Sequence, residues 1–231
     1  MSFFTDSFFS ALTLMRDLDP ELVTIVGVSL KVSFSSTLLA AGLGIPLGFA
    51  VGIKDFAGKR GVVTLLNTLL ALPTVVIALF VYSFISRRGI LGALDLLYTP
   101  QAIIIGQFLL ILPVVATFTL SAISRIDARY RRTAMTLGAT RFQTALVILR
   151  EARFGIMAAV VAAFGRVISE IGISMMLGGN ARGFTRTMTT AMALEYDKGE
   201  FVLAVALGMV LMSISLFINV ILNVIQGKGN A

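Results

Sequence analysis

Apolar residues fall in long blocks along this chain rather than alternating with polar ones. Five blocks stand out, at residues 32–53, 62–85, 102–123, 154–177 and 201–225. Each is close to the ~20 residues a helix needs to cross a hydrocarbon core of about 30 Å. The pattern predicts an all-α, polytopic membrane protein with five transmembrane helices in a single domain over residues 1–231. The first helix extends back toward Leu22 if Lys31 sits close enough to an interface for its stem to reach water. Residues 1–21 are then an external, interfacial lead-in, and residues 124–153 form one long loop. Pro46, Pro73 and Pro113 fall inside predicted spans. There proline removes a backbone donor and predicts kinks, of the kind that line a pathway or that simply accompany membrane helices. Gly42, Gly44 and Gly48 along the first span predict a close helix contact, because small residues let backbones approach in lipid.

Composition reinforces the membrane reading: 57% of residues are hydrophobic, 13% are charged, and the mean hydropathy is +0.95. A soluble domain carries about a quarter charged residues. The chain has no Cys and no His, which removes thiol and imidazole chemistry, disulfides and the usual zinc sites. No metal site and no catalytic residue is expected. The formal charge of +7 is read through loop placement rather than as a nucleic-acid footprint. Lys54, Lys59, Arg60, Arg125, Arg129, Arg131, Arg132, Arg141, Arg150, Arg153 and Lys228 fall on one side of five spans, and Arg16, Arg87, Arg88, Arg182, Arg186 and Lys198 on the other. Eleven against six puts the first group in the cytoplasm, with the N-terminus outside and the C-terminus inside. Residues 1–9 carry Asp6 and no basic residue, which is not the shape of a signal peptide.

The loop at 124–153 is too long for a simple connection. Its centre, RRTAMTLGATRFQTALVILREAR, places Ala134, Leu137, Phe142, Leu146 and Leu149 among arginines at near-helical spacing. It reads as two short amphipathic helices pivoting at Gly138. By composition alone such a segment suits either a docked partner or an anionic lipid surface.

This loop resembles the signature loop of permease subunits of binding-protein-dependent ABC importers: Glu-Ala-Ala, three residues, Gly, nine residues, Ile-x-Leu-Pro. Aligned on TLGATRFQ, the chain has Arg132-Thr133-Ala134 in place of Glu-Ala-Ala and keeps Gly138 and Ile148. It carries Arg150-Glu151 where Leu-Pro is usual. The resemblance implies a type I importer permease whose cytoplasmic coupling helix, with Arg132, Ala134, Leu137, Gly138, Ala139, Arg141 and Ile148, fits a groove in an ATPase subunit. A second resemblance runs through FGRVISEIGISMMLGGN from Phe164, TRTMTTAMALEY from Thr185 and SLKVS from Ser29. It is similar to the molybdate and tungstate branch, and the REAR and ALEYDKGE stretches look closest to the tungstate members. What this implies is a homodimeric permease in the cytoplasmic cell membrane, served by ABC ATPase subunits and an extracellular or periplasmic oxyanion-binding protein. ATP and magnesium would belong to the partner, so this chain would bind no cofactor and would not itself be an enzyme. A permease for another oxyanion or small solute, and a channel without an ATPase, are the alternatives.

Two constellations bear on a pathway. Arg166 and Glu170 stand four apart in an apolar segment, where an isolated charge costs ~2.5–3.5 kcal/mol. They are expected to neutralise one another, either as a structural pair or in contact with the transported anion. A pore-facing carboxylate would repel an oxyanion, which favours the structural pair. The turn Gly178-Gly179-Asn180, followed by Arg182, Thr185 and Arg186, offers amides and cations to a tetrahedral oxyanion. The same residues also suit an ordinary turn against a partner protein. A membrane-embedded enzyme would need more ionisable groups at one depth. A channel has no use for the long basic loop, and a secondary transporter usually shows repeats and buried acids. No glycine-rich loop followed by Lys-Ser/Thr is present.

Overall fold

The computed structural model describes residues 2–227, with side chains from Phe8 onward; Met1 and Lys228, the last of the cytoplasmic group above, lie outside them. Helix α1 (Ser2–Arg16) precedes a sharp turn in which Leu18 has φ 50°. Asp19 then starts α2 (Pro20–Ile53), its carboxylate accepting the amides of Glu21 at 2.9 Å and Leu22 at 3.0 Å. Pro20 at the first helical position has no amide to satisfy. The 34 residues of α2 span about 51 Å. The first span thus starts well before residue 32, close to the Leu22 boundary.

Two predicted spans are not single helices. The second consists of α3 (Lys59–Leu70) and α4 (Thr74–Ile85), bent by 99°. Pro73 stands at the break, where its ring disfavours helical geometry in the preceding residue. The fourth consists of α8 (Arg153–Ile168) and α9 (Gly172–Gly178), bent by 58°. There Ser169 Oγ donates to the carbonyls of Gly165 and Arg166, a local bond that competes with the helical ladder. Between the broken pairs runs α5 (Pro100–Ser124), unbroken through Pro113 as α2 is through Pro46. After α5 come α6 (Ala128–Thr136) and α7 (Arg141–Glu151); after α9 come α10 (Met188–Lys198) and α11 (Phe201–Gly227). The five expected spans are therefore three unbroken helices, α2, α5 and α11, and two bent pairs.

The core is the seam between α2 and α5. A Cβ added at Gly48 would lie 2.3 Å from the Ala116 carbonyl oxygen, one at Gly44 3.0 Å from Val115, and one at Gly52 3.1 Å from Ile123. These three glycines, four residues apart, form one stripe that admits the α5 backbone. Gly42 faces open space, so the contact predicted for it belongs instead to Gly52. Ser36 Oγ lies 3.0 Å from Gln107 Oε1, and Gln107 Nε2 donates to the Val167 carbonyl at 3.3 Å. That bond joins α2, α5 and α8 and gives a partner to a carbonyl at the end of α8, which apolar surroundings would otherwise leave costly. A second apolar cluster packs Ala11 of α1, Leu22 and Ile25 of α2, Met188 and Ala191 of α10, and Ala206 and Leu207 of α11. The lead-in is thus a helix laid against α11.

Candidate functional site

The segment after α5 folds as two short helices joined at Gly138. Asp127 caps α6 by accepting the Arg129 amide at 2.8 Å, and Thr140 and Gln143 form a reciprocal capping box on α7. Gly138 has φ 80°, a conformation that suits glycine, and a Cβ there would meet nothing within 4 Å. Apolar side chains are left uncovered around it: Leu137 is 82% exposed, Phe142 74% and Met135 58%. Arg132 and Arg141 are exposed, and Ala134 and Ala139 half-buried. Between α6 and α7 lies a groove of about 390 Å³ lined by Arg129, Tyr130, Thr133, Ala134, Leu137 and Val147. Beside it the Glu151 carboxylate, chiefly by hydrogen bonding, holds the Tyr130 phenol above its ordinary pKa. Ile148 points the other way. It is buried against Ile123, Ala152 and Ile156 and anchors the segment to the ends of α5 and α8, so it is not part of the exposed face.

The expected Arg166–Glu170 pair does not form: among the described residues no ion pair joins them. The break after Ile168 removes the single helical face that spacing of four assumes. Arg166 is exposed. Glu170 instead accepts the Ile173 amide on Oε1 at 3.3 Å, and its backbone carbonyl accepts Thr189 Oγ1 of α10 at 2.9 Å. A Cβ at Gly172 would lie 3.0 Å from Thr74 Oγ1 and 3.3 Å from Glu170 Oε1. The start of α4 and the start of α9 therefore meet, and the two broken spans share one break point.

The turn after α9 bonds largely to its own chain. Thr185, fully buried, donates to the Gly178 carbonyl at 2.6 Å and accepts the Ala181 amide at 2.9 Å. Gly179 donates to Met175, and Phe184, Thr185 and Arg186 all donate to the Ala181 carbonyl. Asn180 Nδ2 reaches the Thr190 carbonyl at 3.4 Å. Gly179 at φ 70° lies under the Tyr98 ring, which a Cβ would approach to 2.7 Å. The two cations expected to greet an anion thus both pair with Glu21, while Asn180 Oδ1 and Arg186 Nε are buried without a partner. Arg182 and Arg186 both bind Glu21, Arg182 on Oε2 and Arg186 on Oε1 at 3.3 Å. Glu21 ties the first turn of α2 to this turn, a role its position beside the Asp19-Pro20 helix start conceals in sequence.

An all-α chain with three to five apolar spans, two of them broken, and an exposed two-helix segment at one end has the form of a transporter's membrane subunit. Residues 44–228 match the model of the binding-protein-dependent transport system inner membrane component, and the chain belongs to that family. It is 42% identical over 203 residues to a probable anion ABC transporter permease protein of Haloferax volcanii, covering 86% of this chain and 88% of that one. It is 39% identical over 226 residues to the tungstate uptake system permease protein TupB of Peptoclostridium acidaminophilum, covering 98% and 99%. The fold is similar to that of a chain in inward-facing structures of the MetNI methionine ABC transporter, with a TM-score of 0.73 and 19% identity over 90% of this chain and 96% of that one.

Proposed function

We propose that this chain is the permease subunit of an ATP-driven, binding-protein-dependent importer of tungstate or the closely similar molybdate. The observation that carries the reading is identity to a tungstate uptake permease along almost the whole of both chains. Geometry supports it from two directions. The exposed Leu137, Phe142 and Met135 around Gly138 make an apolar knob ringed by arginines, the chemistry of a segment that fills a groove in another protein. Spans broken at a shared point supply the backbone discontinuity that substrate pathways use within membranes.

In this proposal the α6–α7 end faces the cytoplasm, in line with its arginines, and the N-terminus lies outside. Two copies of the chain pair about a two-fold axis, each giving half of the pathway. ATP and magnesium are held by two partner ATPase subunits, and this chain contributes no cofactor site. Closure of those subunits draws the two Gly138 knobs together and switches access to the outer side, where a loaded binding protein delivers the oxyanion. The test is uptake of labelled tungstate into proteoliposomes holding this chain, its candidate ATPase and the binding protein. ATP-dependent uptake that a Gly138→Glu variant abolishes supports the reading. Absence of any ATP-dependent oxyanion uptake by the wild-type complex sinks it.

A further inference from the structure

At the opposite end of α5 from the α6–α7 segment, about 37 Å away along 25 helical residues, lies a cavity of about 720 Å³. It is lined by Tyr82, Ser86, Arg87, Arg88, Asp95 and Tyr98, with Ile85 and Leu97 at its apolar wall. We propose that this cup is the outer receiving site for the transported tetrahedral oxyanion dianion, an inference that rests on the oxyanion-importer reading above.

Its charge is not consumed internally. Among the described residues neither Arg87 nor Arg88 makes an ion pair, and Asp95 makes none either. Two guanidinium groups against one carboxylate leave a net positive cup. Here it differs from the pair Arg182 and Arg186, which already share Glu21. Guanidinium forks match the oxygens of a tetrahedral dianion, and the hydroxyls of Tyr82, Ser86 and Tyr98 supply neutral donors around them.

The scaffold that holds the arginines is tight. Gly89 donates to Ser86 at 2.7 Å and Leu91 to the Phe84 carbonyl at 2.9 Å, while a Cβ at Gly89 would fall 2.3 Å from that same carbonyl oxygen. The cup is also joined to the broken span. Tyr98, held at φ 64°, donates its amide to the Leu177 carbonyl at 2.8 Å, and its ring covers Gly179. The same tyrosine lines a second recess with Met175, Met176, Gly178, Gly179 and Ala181. An anion received at Arg87 and Arg88 is thus separated by one aromatic side chain from the turn that ends α9.

Protection from phenylglyoxal, mapped by mass spectrometry on the full chain in lipid nanodiscs, tests the cup directly. Tungstate is expected to slow modification of Arg87 and Arg88 but not of exposed Arg131 and Arg132, and chloride at matched ionic strength is expected to protect neither pair. In the reconstituted complex, the R87A/R88A variant is expected to lower tungstate uptake by roughly tenfold, the loss of a charge-assisted contact, and R87K/R88K to restore part of it. Affinity for the loaded binding protein is expected to stay unchanged. Equal modification with and without tungstate, or unchanged uptake by R87A/R88A in a complex whose wild type transports, overturns the cup while leaving the importer reading intact. A fall in binding-protein affinity that accounts for the lost uptake overturns it too, in favour of a protein-docking role. Protection of Arg87 and Arg88 in a chain whose complex never transports tungstate would show that the cup binds the anion but remove the importer reading, and the receiving role with it.

Discussion

The two ends of α5 lead to segments built on opposite principles. Around Gly138, a left-handed glycine sits in open space, its neighbours Leu137 and Phe142 stand largely in solvent, and the polar backbone is satisfied locally by helix caps. Around Gly179, a left-handed glycine sits under an aromatic ring, Thr185 is fully buried, and Glu21 holds Arg182 and Arg186. One segment leaves its apolar side chains uncovered, and the other ties most of its polar side chains into the chain itself. The lesson is that the same signals in sequence, a glycine flanked by arginines, accompany an exposed apolar face in one place and an internal joint in the other. What separates them is whether a neighbouring element fills the space above the glycine.

Leu137→Asp is the sharpest way to break this comparison and carries the largest expected effect. An apolar anchor at the centre of an interface is worth about 2 kcal/mol, so association with the ATPase, measured by titration of the two purified subunits in detergent, is expected to weaken roughly thirtyfold. Thermal stability of the permease alone is expected to change by less than about 0.5 kcal/mol, as for exposed sites generally. A large loss of stability would mean that Leu137 serves the fold. Thr185→Val inverts the pattern. It leaves the Gly178 carbonyl and the Ala181 amide without their partner, and unfolding followed by circular dichroism is expected to report about 2 kcal/mol of destabilisation with ATPase affinity intact. Glu21→Gln comes next. Arg186 is mostly buried while Arg182 is largely in solvent, so screening limits the loss to about 1 kcal/mol. High salt is expected to mimic part of the change in the wild type and little of it in the variant.

Much of this contrast was legible in the amino acids, and the reasons it was not wholly so are specific. Block length alone located every apolar stretch, because a bilayer imposes a length scale on the chain. The pivot at Gly138 followed from helical spacing on both sides of it. Helix continuity was harder: Pro46 and Pro113 sit in unbroken helices whereas Pro73 stands in the break before α4, and the residue type is the same in all three. The break after Ile168 depends on Ser169 and Glu170 bonding to nearby backbone, a competition that hydropathy does not register. That break then dissolved the expected Arg166–Glu170 pair. Glu21 escaped notice because its partners lie more than 160 positions away in the chain, and Ile148 looked like part of the coupling face until its inward packing was visible.

The smallest expected effect concerns the link between the exposed segment and its anchor. Tyr130 lies in α6 and Glu151 ends α7, so the influence of the carboxylate on the phenol is an interaction between the two short helices. A carboxylate beside a phenol disfavours the phenolate, and the shift is upward. The chain has four tyrosines and no tryptophan, so the ultraviolet difference between wild type and Tyr130→Phe isolates this phenol in an alkaline titration. Its ionisation is expected above the ordinary tyrosine value and to fall toward it in Glu151→Gln. Because the carboxylate favours the neutral phenol, the pair is compatible at neutral pH and becomes repulsive as pH rises through the raised value. Tyr130 is solvated, so global stability is expected to move little, and the readout is local: faster amide exchange in α6 above that pH. Unchanged titration in Glu151→Gln would mean that the two helices are held by Gly138 and their caps alone, making the knob a looser device than the joint packed beneath Tyr98 at Gly179.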